Sequence, residues 1–283
     1  MSEPRTRPAP HTPLPGAAET AAAVGVPEVR SVGIVGRGRV GTALAAAFRE
    51  AGLAVDGPAG RGEAPSGEAV LLCVPDAEIS AAAAVVGGAR GARLLGHASG
   101  AIPLSVMESA RHPGTELFGL HPLQTFSGTV APTLAGAGCA VAGSTPAAAA
   151  AAAGLARRLG MEAVEIDEAE RASYHAAASI ASNFLVTLEA TAETVAAGAG
   201  FAAEDARALL APLVRQTVDN WAAAGPEQAL TGPVARGDEL TLASQRTAVA
   251  AVDPALLALF DALVERTRSL AAARVRPSLE AAA

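Results

Sequence analysis

The chain has no lysine: all 21 basic residues among its 283 are arginine. This absence excludes Schiff-base chemistry, a phosphate-binding loop ending in Gly-Lys-Ser/Thr, and a lysine that acts as general acid or base. Aromatic residues are also scarce, at 3% with one Trp and one Tyr, and the formal net charge is −7. Because phosphate neutralisation and base stacking both lack their usual residues, we expect a small-molecule substrate and no nucleic-acid partner.

Cysteine is equally rare, with Cys73 and Cys139 each in an apolar, strand-like segment. This setting favours buried, inert thiols over a disulfide or a nucleophile. No cluster of Asp, Glu and His has metal-ligand spacing, so we expect no metal site. The N-terminal segment lacks the apolar core of a signal peptide, and prolines and glycines break the uncharged stretch 117–156. We therefore expect a soluble, cytoplasmic protein with no membrane partner.

A glycine-rich turn joins the first apolar strand, 29–35, to a helix over 42–51. The order strand, G-x-G-x-x-G, helix is typical of dinucleotide-binding folds. The first glycine permits the tight turn, the second lets the pyrophosphate approach, and the third lets helix and strand pack closely. The helix N-terminus offers amides to the phosphates. We predict a dinucleotide site whose loop consists of Gly36, Arg37, Gly38, Arg39, Val40 and Gly41.

The choice between NAD and NADP depends on residues after the second strand, 53–56. Asp56 stands near the position of an acidic residue that binds the ribose 2′-hydroxyl of NAD. Arg37 and Arg61 together have the chemistry of a clamp for the 2′-phosphate of NADP, although solvated loop charge is the alternative for both and for Arg39. We predict NADP as the cofactor and keep NAD as the less favoured alternative.

Short apolar strands alternate with helices as far as residue 168, and the pattern is helical beyond it. We predict an α/β Rossmann domain with a doubly wound, mainly parallel sheet, followed by an all-α domain. The helical half should hold one long core helix over 168–197, a helix over 201–221, and helical segments over 240–270 divided at Asp253-Pro254. The predicted division is a disordered leader 1–27, the Rossmann domain 28–168, a helical substrate and dimerisation domain 169–275, and a tail 276–283.

Two histidines and a serine fall at the ends of adjacent predicted strands, where ligands bind in open α/β sheets. His97 and Ser99 close one strand, and His121 closes the next, with Gln124 just beyond. Histidine titrates near neutral pH and can accept or donate the substrate proton. We predict catalytic roles for His121, His97 and Ser99 and a substrate contact for Gln124.

A short loop in the helical half holds Arg236 between glycines. Its guanidinium is suited to clamping a substrate carboxylate, and Asp238 after it is a candidate helix N-cap.

Five motifs together resemble those of uncharacterised Rossmann-like oxidoreductases whose C-terminal half is a domain of unknown function, distant relatives of the 6-phosphogluconate dehydrogenase and ketopantoate reductase superfamily. They are Gly36-Arg-Gly-Arg-Val-Gly41, His97-Ala-Ser-Gly100, His121-Pro-Leu-Gln-Thr-Phe126, Tyr174-His-Ala-Ala-Ala178 with Ala181-Ser-Asn183, and Thr231-Gly-Pro-Val-Ala-Arg-Gly-Asp238.

The resemblance implies that the long helix passes beside the nicotinamide. It assigns catalytic roles to His175 and Asn183 and substrate contacts to Tyr174, Ser182 and Thr231, although packing is the alternative for Tyr174 and His175, and a backbone hydrogen bond is the alternative for Asn183. The turn after the third strand resembles the one that lines the nicotinamide ribose in Rossmann dehydrogenases, with helix capping as the alternative for its last residue: Val74, Pro75 and Asp76. Several relatives use a lysine on the long helix as acid or base, and this chain has none, so their mechanism does not transfer unchanged.

These features predict an NADP-dependent oxidoreductase that transfers hydride to or from a small, carboxylate-bearing carbonyl compound. The resemblance makes a ketopantoate-like 2-oxo acid the first substrate to test. The alternatives are a pyrroline-carboxylate-type imine reductase and a non-catalytic, NADP-binding regulator. We expect a homodimer formed through the helical domain.

Overall fold

The computed structural model describes residues 28–87, 92–128 and 132–275. The chain divides into two compact units, one ending at Ser182 and the other beginning at Asn183. The predicted leader 1–27 and tail 276–283 lie outside the described residues.

The first unit is built on one seven-stranded sheet. Its strands in chain order are β1 (Ser31–Val35), β2 (Ala54–Ala59), β3 (Ala69–Leu72), β4 (Leu94–His97), β5 (Glu116–Pro122), β6 (Gly138–Gly143) and β7 (Glu162–Glu165). Their order across the sheet is β2-β1-β3-β4-β5-β6-β7. All neighbouring strands run parallel except β5 and β6, which are antiparallel.

The central strands of the sheet are buried on both faces because they are almost uniformly apolar, whereas the edge strands β2 and β7 are partly exposed. Along β3, Leu71 packs into one apolar cluster, and Val70 and Leu72 pack into another, as the alternation of a strand requires. The helices that cover the sheet are α1 (Arg39–Glu50), α2 (Ile79–Val86) and α3 (Pro146–Arg158). Helices α1 and α3 share the first cluster, and α2 contributes to the second.

Three short 3₁₀ helices and one further α-helix complete the first unit. The 3₁₀ helices are Asp76–Glu78, Leu104–Ala110 and Glu168–Glu170, and the α-helix is α4 (Arg171–Ala181). The longest of the three 3₁₀ helices is the segment Leu104–Ala110. Its buried residues, Leu104 and Met107, are three apart, which is the spacing that brings side chains onto one face of a 3₁₀ helix.

The second unit is entirely helical within the described residues. Its helices are α5 (Asn183–Ala197), α6 (Ala203–Ala224), α7 (Pro226–Ala229), α8 (Pro233–Arg236), α9 (Glu239–Val252) and α10 (Leu257–Val275), with a 3₁₀ helix over Pro254–Leu256. The predicted interruption at Asp253-Pro254 is present, and the Asp253 carboxylate accepts a hydrogen bond from the Ala255 amide at 2.9 Å. The predicted fold class, a Rossmann domain followed by an all-α region, is confirmed.

The expected single core helix over 168–197 is wrong. The segment is divided into α4 and α5 at Ser182, whose φ of −119° and ψ of −70° depart from helical values. Ser and Asn form helices weakly because their side chains compete for backbone hydrogen bonds. Nor is α5 buried, since Phe184 is 56% exposed. Helix α4 belongs to the first unit, so the structural division falls later than the boundary expected after residue 168.

No helix within the described ranges combines the length and the apolar character that crossing a membrane requires.

Candidate functional site

The three glycines of the loop after β1 meet three different steric demands. Gly36 has a φ of +113°, and a Cβ there would lie 2.2 Å from the carbonyl oxygen of Cys73. A Cβ on Gly41 would lie 2.0 Å from the carbonyl oxygen of Gly36. Gly38, in contrast, has no atom within 4 Å of its would-be Cβ. Two of the glycines are thus required by packing, and the middle one leaves open space above the loop.

The N-terminus of α1 faces this loop. Its N-cap is Gly38, which has no side chain to satisfy the first amides, and the first turn holds no acidic residue. The positive end of the helix dipole is therefore uncompensated by the cap residue and the first turn, a property of phosphate-binding helix termini.

A cavity of about 660 Å³ adjoins the loop. This volume lies in the range of small-molecule sites. The predicted cofactor residues that line it are Gly36, Arg37, Gly38, Arg61, Val74 and Pro75.

Other predicted cofactor residues lie beside this cavity but do not line it. Arg39 and Val40 belong to the first turn of α1, and the Arg39 guanidinium donates to the carbonyl oxygen of Ser127 at 3.2 Å. Asp76 begins a 3₁₀ helix whose N-cap is Pro75, so Asp76 is not at the capping position.

Asp56 does not occupy the position expected for a ribose-binding acid. Strand β2 extends to Ala59, which places Asp56 within the strand, and its carboxylate accepts from the Ser66 amide at 2.8 Å and hydroxyl at 2.9 Å. These hydrogen bonds hold the pKa of Asp56 below its usual value. The acidic residues that line the cavity are Glu63 and Glu78, which sequence reasoning missed. Glu63 follows two glycines after the end of β2, and no periodic pattern marks it.

A second group of predicted site residues gathers where β4, β5 and α4 meet. The Nδ1 atom of His121, on β5, lies 2.8 Å from the hydroxyl oxygen of Tyr174, on α4. The two rings are perpendicular, with centroids 5.6 Å apart, and the His175 ring centroid lies 6.1 Å from that of His121. The structure therefore brings His121, Tyr174 and His175 together.

Burial keeps His121, Tyr174 and the nearby His97 uncharged at neutral pH. It lowers the pKa of His121 to about 4, with further contributions from His175 and the Arg171 cation. The pKa of His97 falls to about 4, again mainly through burial and then through Arg171. Burial raises the pKa of Tyr174 to about 12. His121 and Tyr174 thus form a neutral hydrogen-bonded pair able to polarise a substrate oxygen or nitrogen or to accept a proton from it.

Ser99 organises the turn that follows β4. Its hydroxyl oxygen accepts from the amides of Ala101 at 3.2 Å and Ile102 at 3.1 Å. Its own amide donates to Nδ1 of His97 at 3.2 Å, which leaves the ring proton of neutral His97 on Nε2. The next residue, Gly100, packs so closely that a Cβ there would lie 2.7 Å from the His121 ring. Gly100 is therefore a further residue that shapes the cluster.

Arg171, which sequence reasoning missed, connects the elements that carry these groups. It is 5% exposed, and its Nε donates to Glu168 at 2.6 Å while its Nη1 donates to the Ser99 carbonyl at 3.3 Å. A Cβ on Gly119 of β5 would lie 2.7 Å from Nη2. Glu168 in turn accepts from the Leu104 amide at 2.9 Å. A glycine inside a strand and a Glu-Arg pair three residues apart were the available signals.

The remaining predicted site residues have other surroundings. Gln124 bonds within its own loop, donating to the Thr133 carbonyl at 2.9 Å and accepting from the Thr125 amide at 2.7 Å. Ser182 stands between α4 and α5. Three others lie in the second unit and are exposed: Asn183, Thr231 and Arg236. Asp238 is the N-cap of α9 and accepts from the Thr241 amide at 3.1 Å. Functional roles for these residues, as for the clustered ones, stay predictions.

Both cysteines are free, and burial raises the pKa of each thiol to about 12. Neither is a thiolate at neutral pH, in accord with the inert role expected of them.

The fold and the glycine loop together define a Rossmann-type chain with a helical C-terminal unit. Residues 137–267 match a family model described as a domain of unknown function, DUF2520. The match begins at β6 and so includes part of the sheet. It confirms the predicted resemblance to Rossmann-like proteins whose C-terminal half is a domain of unknown function.

Solved structures share this architecture over nearly their full length. BF3122 from Bacteroides fragilis, a proposed NADP oxidoreductase, is 21% identical, with 85% of this chain and 98% of that chain covered and a TM-score of 0.71. TM1727 from Thermotoga maritima is 22% identical, with 87% and 100% covered and a TM-score of 0.68. Pyrroline carboxylate reductase from Plasmodium falciparum with NADP bound is 12% identical, with 85% and 98% covered and a TM-score of 0.57. At these identities the likeness establishes the fold. No curated protein matches the chain.

Proposed function

We propose that this chain is an NADP-dependent oxidoreductase whose first unit holds the cofactor at the glycine loop. The observation that carries the proposal is the open space at Gly38, between two sterically required glycines and beside a cavity of about 660 Å³. The amides of the loop and of the α1 N-terminus would hold the pyrophosphate, and Arg37 and Arg61 would hold the 2′-phosphate. When bound, the nicotinamide would supply or accept a hydride. Two proteins of the same fold, BF3122 and the pyrroline carboxylate reductase, carry NADP in their names.

The proton would be handled by His121 together with Tyr174. When the Tyr174 hydroxyl donates to Nδ1 of His121, the ring proton lies on Nε2, which can then donate a hydrogen bond to a substrate atom. Arg171, at the start of α4, is bonded to the turn after β4 through the Ser99 carbonyl and fixes the two segments relative to each other. It is therefore a positioning residue. His97 and His175 are the next candidates for the same role.

The substrate we propose first is a small carboxylate-bearing carbonyl compound, such as a ketopantoate-like 2-oxo acid. An imine substrate of the pyrroline-carboxylate type is the second candidate, and the depressed pKa of His121 favours it. A histidine with a pKa of about 4 is almost entirely deprotonated at neutral pH and so rarely has a proton to donate, whereas a protonated imine already carries the proton. A regulator that binds NADP without turnover is the third reading.

One experiment separates these alternatives. Oxidation of NADPH by the full chain is followed with a panel of 2-oxo acids and cyclic imines, in wild type, His121→Asn and the control His112→Asn. His112 lies in an exposed loop outside the histidine cluster. We expect turnover on one substrate class, a loss of about 10²-fold or more in His121→Asn, and no loss in His112→Asn. Tight NADPH binding with no turnover of any compound would contradict the proposal of an enzyme and favour that of an NADP-binding regulator.

We also propose that two copies associate through the helical unit. Large apolar side chains on α5 and α6 face solvent in the single chain, including Phe184 and Trp221 at 56% and 57% exposure. Exposed apolar surface of this kind is typical of subunit interfaces. Sedimentation equilibrium should give a dimer that Trp221→Glu weakens and Leu123→Glu, at an exposed site of the first unit, does not. A wild-type monomer at micromolar concentration would contradict the proposal.

A further inference from the structure

The mouth of the dinucleotide cavity carries two arginine-glutamate pairs that differ in construction. Glu63 accepts from Nη2 of Arg37 with both oxygens, at 3.0 and 2.9 Å, and from the Gly60 amide at 2.7 Å. Glu78 accepts from Arg61 at 2.6 Å. Glu63 is thus bound by a side-chain cation and a main-chain donor together, which makes its surroundings a small anion site.

The donors of this site are held in place independently of Glu63. Arg37 Nε donates to the Pro58 carbonyl at 3.3 Å. The guanidinium also lies against Gly60, where a Cβ would come within 3.1 Å of Nη1 and 3.2 Å of Cζ. Glycine at 60 therefore lets the guanidinium approach the backbone that supplies the second donor. A planar cation beside a main-chain amide suits the oxygens of a phosphate as well as those of a carboxylate.

The carboxylate itself is free to leave. The Glu63 and Arg37 side chains are 53% and 65% exposed, so rotation of Glu63 into solvent meets no packing barrier within the described residues. The Gly60 amide and the Arg37 cation hold the pKa of Glu63 below its usual value, so the group is ionised at neutral pH. A phosphate that accepts hydrogen bonds from Arg37 and the Gly60 amide must therefore displace the charged Glu63 side chain.

We propose that Glu63 is an internal anion that occupies the subsite for the 2′-phosphate of NADP and thereby sets the preference between NADP and NAD. The inference rests on the proposed function, because it assumes that the cavity holds a dinucleotide. Glu63 bound to Arg37 and Gly60 competes with the phosphate and lowers NADPH affinity. NADH has no group that needs these donors, so its binding leaves the Glu63 contacts intact.

The test is a set of calorimetric titrations of NADPH and NADH into wild type, Glu63→Gln and Glu162→Gln. Glu162 is an exposed residue of β7, and its substitution makes the same change in net charge without lining the cavity. Because exposed ion pairs are weak, we expect Glu63→Gln to tighten NADPH binding by about two- to fivefold and to leave NADH unchanged. Glu162→Gln should change neither. In an Arg37→Ala background, Glu63→Gln should no longer tighten NADPH.

Three results would overturn the inference. Weaker NADH binding in Glu63→Gln with unchanged NADPH would make Glu63 a ligand of the ribose hydroxyls. Equal changes for both cofactors, or no change, would remove any selective role while leaving the dinucleotide site in place. A wild-type chain that binds neither dinucleotide would overturn the proposed function itself, so the two failures are distinguishable.

Discussion

The two units of this chain bury their apolar residues to very different extents. In the first, helices cover both faces of the sheet, and side chains such as Phe48 and Phe118 are completely buried. In the second, the buried residues among those described are Ala206, Leu242 and Val249, while Phe184 and Trp221 stand exposed. A parallel sheet and its crossover helices bury their apolar faces against each other within one chain. A group of helices, in contrast, can leave apolar faces that another surface covers. The first unit thus buries most of its large apolar side chains within the single chain, and the second leaves several of its own exposed.

The largest expected difference between the units is in core truncation. Phe48→Ala removes a completely buried ring from α1 and should lower the free energy of unfolding by about 3 to 5 kcal/mol. Phe184→Ala truncates a half-exposed ring in α5 and should cost less than about 1 kcal/mol in the dissociated chain. Chemical denaturation of both variants at low protein concentration measures the contrast. Equal losses would mean that α5 is covered within the single chain and that the comparison fails.

The next effect is the pH dependence due to histidine, which is confined to the first unit because all five histidines precede Asn183. His97 is buried, with a pKa of about 4 against 6.5 ordinarily, so unfolding takes up a proton between these values. The stability due to neutral burial is therefore complete above pH 6.5 and falls as the pH drops towards 4, by up to about 3 kcal/mol. Denaturation of wild type and His97→Gln across this range provides the measurement. Parallel pH profiles for the two proteins would show that His97 is not buried as described.

A smaller contrast is expected between arginines. Arg171 in the first unit is 5% exposed, and Arg171→Gln should cost about 1 to 3 kcal/mol because Glu168 and the Ser99 carbonyl lose a buried partner. Arg246→Gln breaks an exposed pair with Asp261 in the second unit and should cost less than about 1 kcal/mol.

The same variant has a second readout. Loss of the Arg171 cation should raise the pKa of His121, as followed by the NMR shifts of its ring protons. An unchanged His121 titration in folded Arg171→Gln would exclude an electrostatic role for Arg171.

The sequence predicted those features that local pattern controls. Alternation of apolar strands and helices predicted the mainly parallel sheet, and the glycine spacing predicted a loop whose steric demands the structure explains residue by residue. The strand-end rule brought His97 and His121 to neighbouring positions. Family resemblance suggested Tyr174 as a substrate contact; the structure places its hydroxyl 2.8 Å from His121, and its role stays a prediction.

What the sequence did not predict depends on contacts between distant segments. Arg171 resembles a surface arginine until Gly119 and the turn at Ser99 are placed around it. Glu63 lines the cavity and Asp56 does not, because β2 extends to Ala59 and so includes Asp56 within the strand. The supposed core helix over 168–197 failed because helical periodicity shows where apolar residues lie and not what covers them.

The most direct test of the central claim is NADPH binding to the full chain with Gly38→Asp and Gly154→Asp compared. Both glycines have open space around a would-be Cβ, but Gly38 lies at the proposed pyrophosphate site and Gly154 lies on α3. Both variants should fold, since neither substitution creates a clash. We predict that calorimetry detects NADPH binding in wild type and Gly154→Asp and none in Gly38→Asp. The carboxylate introduced by Gly38→Asp would occupy the position of the pyrophosphate and repel its negative charge. Unchanged NADPH affinity in a folded Gly38→Asp protein would contradict the account.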